Sequence, residues 1–311
     1  MAGAGGGEGR RHGHKALCSL RGRTWSVPPR NEANSNLNNP SGMRGSPSLK
    51  LLMYWITEPV RWLGAQAIEN VAALGRFGLF FISALFNALS PPYKPRLVVR
   101  QLRLIGADSI FLITLIGWAT GMVLGLQGYN TLHRFGSETA LGTVVALVLV
   151  RELGPVLSAL MITARAGSAM AAELGSMQVT EQVDALSVMA IDPVQYLVSP
   201  RILAGLISFP LLTAIFDVVG IFGGYAIGVG LMGVPPGSYF RGIVDNLTPH
   251  DVASGFYKAL VFGLAVTWVC CYKGYHAERM ATGISRATTE AVVLSSVLVL
   301  LWDYFLTSVL L

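Results

Sequence analysis

Charge is what this sequence has least of. Asp, Glu, Lys and Arg make up 13% of its 311 residues, about half the share of a soluble domain. A soluble protein of this size would still need a charged surface, and long stretches here carry no charge at all. Cysteine is scarce as well. Cys18, Cys270 and Cys271 have no metal-ligand spacing, and they read as free thiols suited to apolar burial. Three motifs of soluble catalysis are missing: the G-x-x-x-x-G-K-S/T nucleotide loop, the H-E-x-x-H zinc pair and the G-x-S-x-G nucleophile turn. The five histidines do not cluster in sequence. No catalytic residue, cofactor or metal site is predicted, and the chain is not read as an enzyme. If it moves something against a gradient, the energy enters through another subunit.

What remains is apolar. Hydrophobic residues make up 52% of the chain and the mean hydropathy is +0.54. The charge that exists is unevenly placed. Residues 1–103 hold fourteen Lys and Arg against four Asp and Glu, and the rest hold nine against thirteen, so a leader of +10 joins a body of −4. A basic leader suits nucleic acid or an anionic membrane surface. Attached to a hydrophobic body it points to the membrane, and no nucleic-acid partner is predicted.

Residues 1–48 contain GAGGGEG and NEANSNLNNPSG and have no apolar period, which predicts a disordered basic extension. Residues 49–103 are expected to form an interfacial amphipathic helix and a link, with an ordinary packed amphipathic helix as the alternative. Within 58–90, Glu58, Glu69 and Arg76 share one face with Arg61 beside it, while Val60, Leu63, Val71, Leu74 and Phe81 occupy much of the other. Trp62 reads as an anchor, and Pro91 and Pro92 end the helix. From 104 to 311, five segments are long enough to span a bilayer: 104–126, 139–163, 202–231, 253–272 and 290–311. Helices are required, because lipid cannot satisfy open strand edges. The fold predicted is an all-α integral membrane protein, one interfacial helix plus five transmembrane helices. Arg165 and Arg201 flank the second connection, and Lys273, Arg279 and Arg286 lie in the fourth. The first and third hold Arg134 and Arg241 alone. That bias puts the amino terminus in the cytoplasm and the carboxyl terminus outside.

The connection 164–200 is organised rather than loose. A helix over 171–190 would place Glu173, Glu181 and Asp184 on one side and Val179, Val183 and Leu186 on another, with Gln182 beside Glu181. Such a cytoplasmic helix is a candidate coupling surface for a partner; a helix resting on the bilayer is the alternative. Inside the spans, Arg151, Glu152 and Asp217 are candidate cavity or gate residues, since charge at membrane depth faces protein or water. Arg151 and Glu152 point about 100° apart and need not pair with each other. A fold-stabilising ion pair with another helix is the equal alternative. Gly154-Pro155 follows them and loosens the helix. Lys258 lies near a segment end and is expected to snorkel. Asp108, Asp217 and Asp303 are spread apart, which argues against a carboxylate path for protons. Glycines 117, 121, 125 and 128, and 220, 223, 224, 228 and 230, permit close helix contact.

Four runs then carry a resemblance: GMVLGLQGYNTLHRFGSE at 121–138, VALVLVRELGPVLSALMITARAGSAMAAELGSMQVTEQVDAL at 145–186, AIDPVQYLVSPR at 190–201 and GISRATTEAVV at 283–293. In that order they resemble the MlaE-type (YrbE-type) permeases of bacterial ABC lipid-transport systems that work with MCE-domain proteins. The resemblance covers residues 60–311. It departs where Thr163-Ala164-Arg165-Ala166-Gly167 has Ala in place of the family's first Gly. It implies a homodimer in the bacterial inner membrane, ABC ATPase subunits on the cytoplasmic face and a periplasmic MCE-domain ring. It also implies a small STAS-like protein in some systems, and phospholipid or another lipid as cargo. The function expected is a permease subunit whose dimer cavity opens alternately, walled by the first, second and last spans. The rival expectations are a scaffold that only anchors an MCE protein and a proton-driven transporter using Glu152 or Asp217.

Overall fold

The computed structural model describes residues 66–69, 71–72, 75–86 and 95–310. The extension 1–48 and residues Glu58, Arg61, Trp62, Pro91 and Pro92 lie outside them. Residues 66–69 are helical, and residues 69–311 form one packed unit. It opens with the short apolar helix α1 (Gly75–Phe86), followed by α2 (Pro95–Ile105). A tight turn at Ala107–Ser109 leads into α3 (Ile110–His133). The second span is built in pieces: α4 (Leu141–Val148), a π turn at Leu149–Leu153, α5 (Gly154–Ile162), a second π turn at Thr163–Gly167, and α6 (Ser168–Val179). Then come α7 (Gln182–Val188), α8 (Ser199–Gly228), α9 (Pro236–Asn246), α10 (Pro249–Tyr275) and α11 (Ala281–Leu310). Among the described residues, five helical stretches are long and apolar enough to cross a membrane: Pro95–His133, Glu138–Val179, Val194–Gly228, Pro249–Tyr275 and Ala281–Leu310.

The five spans match the sequence expectation in number and order, but each helix outruns its apolar run. The second does so most, continuing past Thr163 to Val179. Residues 164–179 are rich in Ala and contain no Pro, so nothing ends the helix where hydropathy falls. A continuous helix over 171–190 does not form. Glu181 takes a left-handed conformation (φ 58°) between α6 and α7, so residues on either side no longer share one helical face.

Glycine sets the central contact. A Cβ on Gly121 would lie 1.9 Å from the Gly220 carbonyl oxygen, and one on Gly125 would lie 2.9 Å from that of Gly224. The backbones of α3 and α8 therefore touch, as small residues allow. Gly128 instead meets Leu141, and Gly230 meets its own helix at Ala226. The helix α9 had no counterpart in the sequence reading. It starts at Pro235-Pro236 and buries Tyr239, whose hydroxyl donates to the Ile221 carbonyl at 3.0 Å. The α10 start is a capping box, with Thr248 Oγ1 accepting from Asp251 N and Asp251 Oδ2 accepting from Thr248 N.

Candidate functional site

The π turn at Leu149–Leu153 carries both candidate charges of the second span. Its cause is local. Pro155 has no N–H, so the carbonyl of Arg151, four residues earlier, loses its ordinary helical donor. A π turn also shifts side-chain register, aiming Arg151 and Glu152 at α10.

Lys258 of α10 fills the gap. Its Nζ donates to the Arg151 carbonyl at 2.9 Å, to Glu152 Oε2 at 2.8 Å and to Thr307 Oγ1 at 2.6 Å. These use all three ammonium protons. Asp303 Oδ1 stands 3.2 Å from Nζ and takes part through charge alone. Thr307 Oγ1 in turn donates to the Glu152 carboxylate at 3.3 Å. Lys258 is 2% exposed. The expected snorkelling lysine is thus overturned: a backbone carbonyl, a hydroxyl and two carboxylates make burial cheaper than reaching for water.

Arg151 goes to a different partner. Its Nε donates to Asp251 Oδ1 at 2.8 Å, and Nη2 lies 2.6 Å from the same oxygen. Asp251 caps α10 and binds Arg151 at once, tying the π turn to a helix start. A cleft of about 180 Å³ opens here, lined by Arg151, Glu152, Asp251, Lys258 and Thr307, with His250 and Leu310. The cluster counts two cations against three carboxylates. Arg151 and Glu152 point apart, as their spacing requires, and each pairs across to α10.

Asp217 does not join them. It lies on α8 beside Gly154, and its Oδ1 is buried without a hydrogen-bond partner among the described residues. The pocket it lines, about 240 Å³, is otherwise formed by Val150, Pro210, Val218, Phe256 and similar apolar groups.

A second polar level lies further along the same span. Arg165, in the other π turn, donates from Nη1 to Ser109 Oγ at 3.2 Å. Arg201 is 2% exposed; it donates to Leu197 O at 2.6 Å and to Glu173 Oε2 at 2.7 Å. Glu173 therefore points inward, and the common acidic face expected with Glu181 and Asp184 is not formed. Asp184 pairs with Arg279 at 2.8 Å, Glu181 and Gln182 are exposed, and Leu186 is partly buried. At the end of α7, Val188 and Met189 are exposed apolar side chains that the sequence reading passed over.

The sequence reading missed Asp251, Lys258, Asp303, Thr307 and Arg201 as members of these clusters. The Thr248-x-x-Asp251 cap and the proline after Arg151-Glu152 were the available signals.

Comparison with known proteins fits this geometry. The family described as Permease MlaE matches residues 98–309. A probable ABC transporter permease protein of Rickettsia felis is 42% identical over 79% of this chain and 95% of its own length. The intermembrane phospholipid transport system permease protein MlaE of Haemophilus influenzae is 43% identical over 80% of this chain and 95% of its own. The chloroplastic protein trigalactosyldiacylglycerol 1 of Arabidopsis thaliana is 34% identical over 68% of this chain and 61% of its own. The chain belongs to the MlaE permease family, as a multi-pass membrane transport subunit and not an enzyme in its own right.

Proposed function

We propose that this chain is the permease subunit of an ATP-driven phospholipid transporter in a bacterial inner membrane, and that Arg151 and Glu152 line its route or gate. The observation that carries the reading is the cleft in which Arg151, Glu152 and Lys258 meet: a polar cluster shared by the second span, the start of α10 and the end of α11 inside a permease fold. Such charge is costly unless it faces protein or water. Asp217 contributes an isolated carboxyl in a separate, largely apolar pocket that also touches Val150 of the same π turn.

The partners follow the family. A homodimer would face separate ABC ATPases in the cytoplasm and an MCE-domain ring in the periplasm, with a STAS-like protein in some assemblies. The amino terminus would be cytoplasmic and the carboxyl terminus periplasmic, so a reporter fused after Leu311 should be periplasmic. Residues 164–200 would carry the coupling segment, with Glu181, Gln182 and Asp184 offered to the ATPase beside the apolar Val188 and Met189. Residues 49–103 would hold the interfacial helix. In support, α1 stacks Phe77 on Trp268 at 3.9 Å and leaves Leu79 and Phe86 exposed.

The test is phospholipid transfer between liposomes by the permease reconstituted with its ATPase. Arg151→Ala and Glu152→Ala should each lose more ATP-driven transfer than removal of residues 1–40. Normal transfer by both variants at normal protein level would overturn the gate assignment. Transfer by wild type that persists without ATP would instead favour a proton-driven route.

A further inference from the structure

A second cleft, about 390 Å³, lies where α2 turns into α3 and meets α6. Several of its polar groups have no partner among the described residues. Arg100 and Asp108 make no hydrogen bond or ion pair among the described residues, although both line the same cavity. Among the described residues the Arg165 guanidinium makes a single hydrogen bond, to the neutral Ser109 hydroxyl. Gln101 is 8% exposed, and its Oε1 is buried with no hydrogen-bond partner among the described residues. Glu173 also lines the cleft, but its charge is met by Arg201 at 2.7 Å. The charges left uncommitted are thus two guanidinium groups and one carboxylate. Leu104, Ile105 and Met170 supply an apolar wall beside them.

We propose that this cleft binds the headgroup of a zwitterionic phospholipid, with the phosphate on Arg100 and Arg165 and the amine on Asp108. Guanidinium forks suit phosphate oxygens. A carboxylate beside them disfavours a purely anionic lipid and favours one that carries an ammonium group. The apolar wall takes the start of the acyl chains, in the usual division of a lipid site into apolar body and few polar groups. This inference rests on the transport reading in taking a phospholipid as the cargo.

The test is native mass spectrometry of the purified full chain in detergent, titrated with phosphatidylethanolamine or phosphatidylglycerol. Wild type should retain phosphatidylethanolamine in preference. Asp108→Asn should weaken that retention about tenfold, the loss of one charge-assisted contact, and spare phosphatidylglycerol. Arg100→Gln should weaken both. The two side chains are exposed, so both variants should keep the wild-type thermal midpoint. Equal retention of the two lipids, unchanged by Asp108→Asn, would overturn the site. Displacement by water-soluble glycerophosphoethanolamine at equal concentration would overturn the lipid source in favour of a free phosphate compound. ATP-driven transfer by the same variants, reconstituted in liposomes with the ATPase, separates the two readings. Transfer without headgroup preference removes this cleft alone; preference without transfer removes the transport reading alone.

Discussion

Two polar levels sit on one span, fourteen residues apart at Arg151 and Arg165, about 20 Å along a helix. Each uses a π turn to aim an arginine sideways. Their electrostatics differ. At the first, every charge has a partner on another helix, and Lys258 satisfies three acceptors while facing a fourth. At the second, Arg201 and Glu173 are paired, while Arg100 and Asp108 stand open to a larger cleft. Between them runs Gly154–Ile162, which carries no charge. At the first level the charges are matched across three helices, and at the second two guanidinium groups and a carboxylate are left uncommitted.

The sharpest break in that contrast is Lys258→Met. It leaves Glu152 facing Asp303 and strips the Arg151 carbonyl of its donor. The expected loss is about 3 kcal/mol, the low end for a broken buried pair because Glu152 is partly open to the cleft. The measurement is the thermal midpoint in detergent, and neutralising Glu152 and Asp303 as well should recover most of it. Gly121→Ala acts on the frame shared by both levels. A methyl 1.9 Å from a backbone oxygen must force α3 from α8, costing about 2–3 kcal/mol. Gly237→Ala, with open space around it, should leave the midpoint unchanged. Arg201→Met strands one carboxylate, about one third exposed, and should cost about 2 kcal/mol. Smallest is Asp184→Ala. Its pair with Arg279 is about half exposed on both sides, so stability should change by at most about 1 kcal/mol. Recovery of ATPase with the permease should nevertheless fall if the coupling segment is assigned correctly.

Five spans were legible because apolar segments of twenty residues or more, each with at most two charges, have one physical outcome in a membrane. Helix ends were not, since apolarity stops where lipid stops while the helix of 164–179 has no reason to. The Glu181 break was hidden for a related reason: a left-handed residue leaves no mark when it is not glycine or asparagine. Arg151 and Glu152 were visible as misplaced charges. Their partners lie about a hundred residues or more away, and periodicity says nothing of which helix comes alongside. Lys258 illustrates the limit. Judged by its place in the segment it should reach for water, and only the proline-freed carbonyl of another helix explains why it is buried.

In the proposed transport function, the Arg151–Glu152–Lys258 cluster does more than hold helices together. The neutral triple variant Glu152→Gln, Lys258→Met, Asp303→Asn removes two carboxylates and one ammonium without leaving any of the three charges stranded. Its ATP-driven phospholipid transfer, measured in liposomes with the ATPase present, decides the matter. The prediction is a variant that keeps its thermal midpoint and its recovery of ATPase and loses transfer. Transfer at the wild-type rate in that variant would contradict the claim and leave the cluster a structural joint.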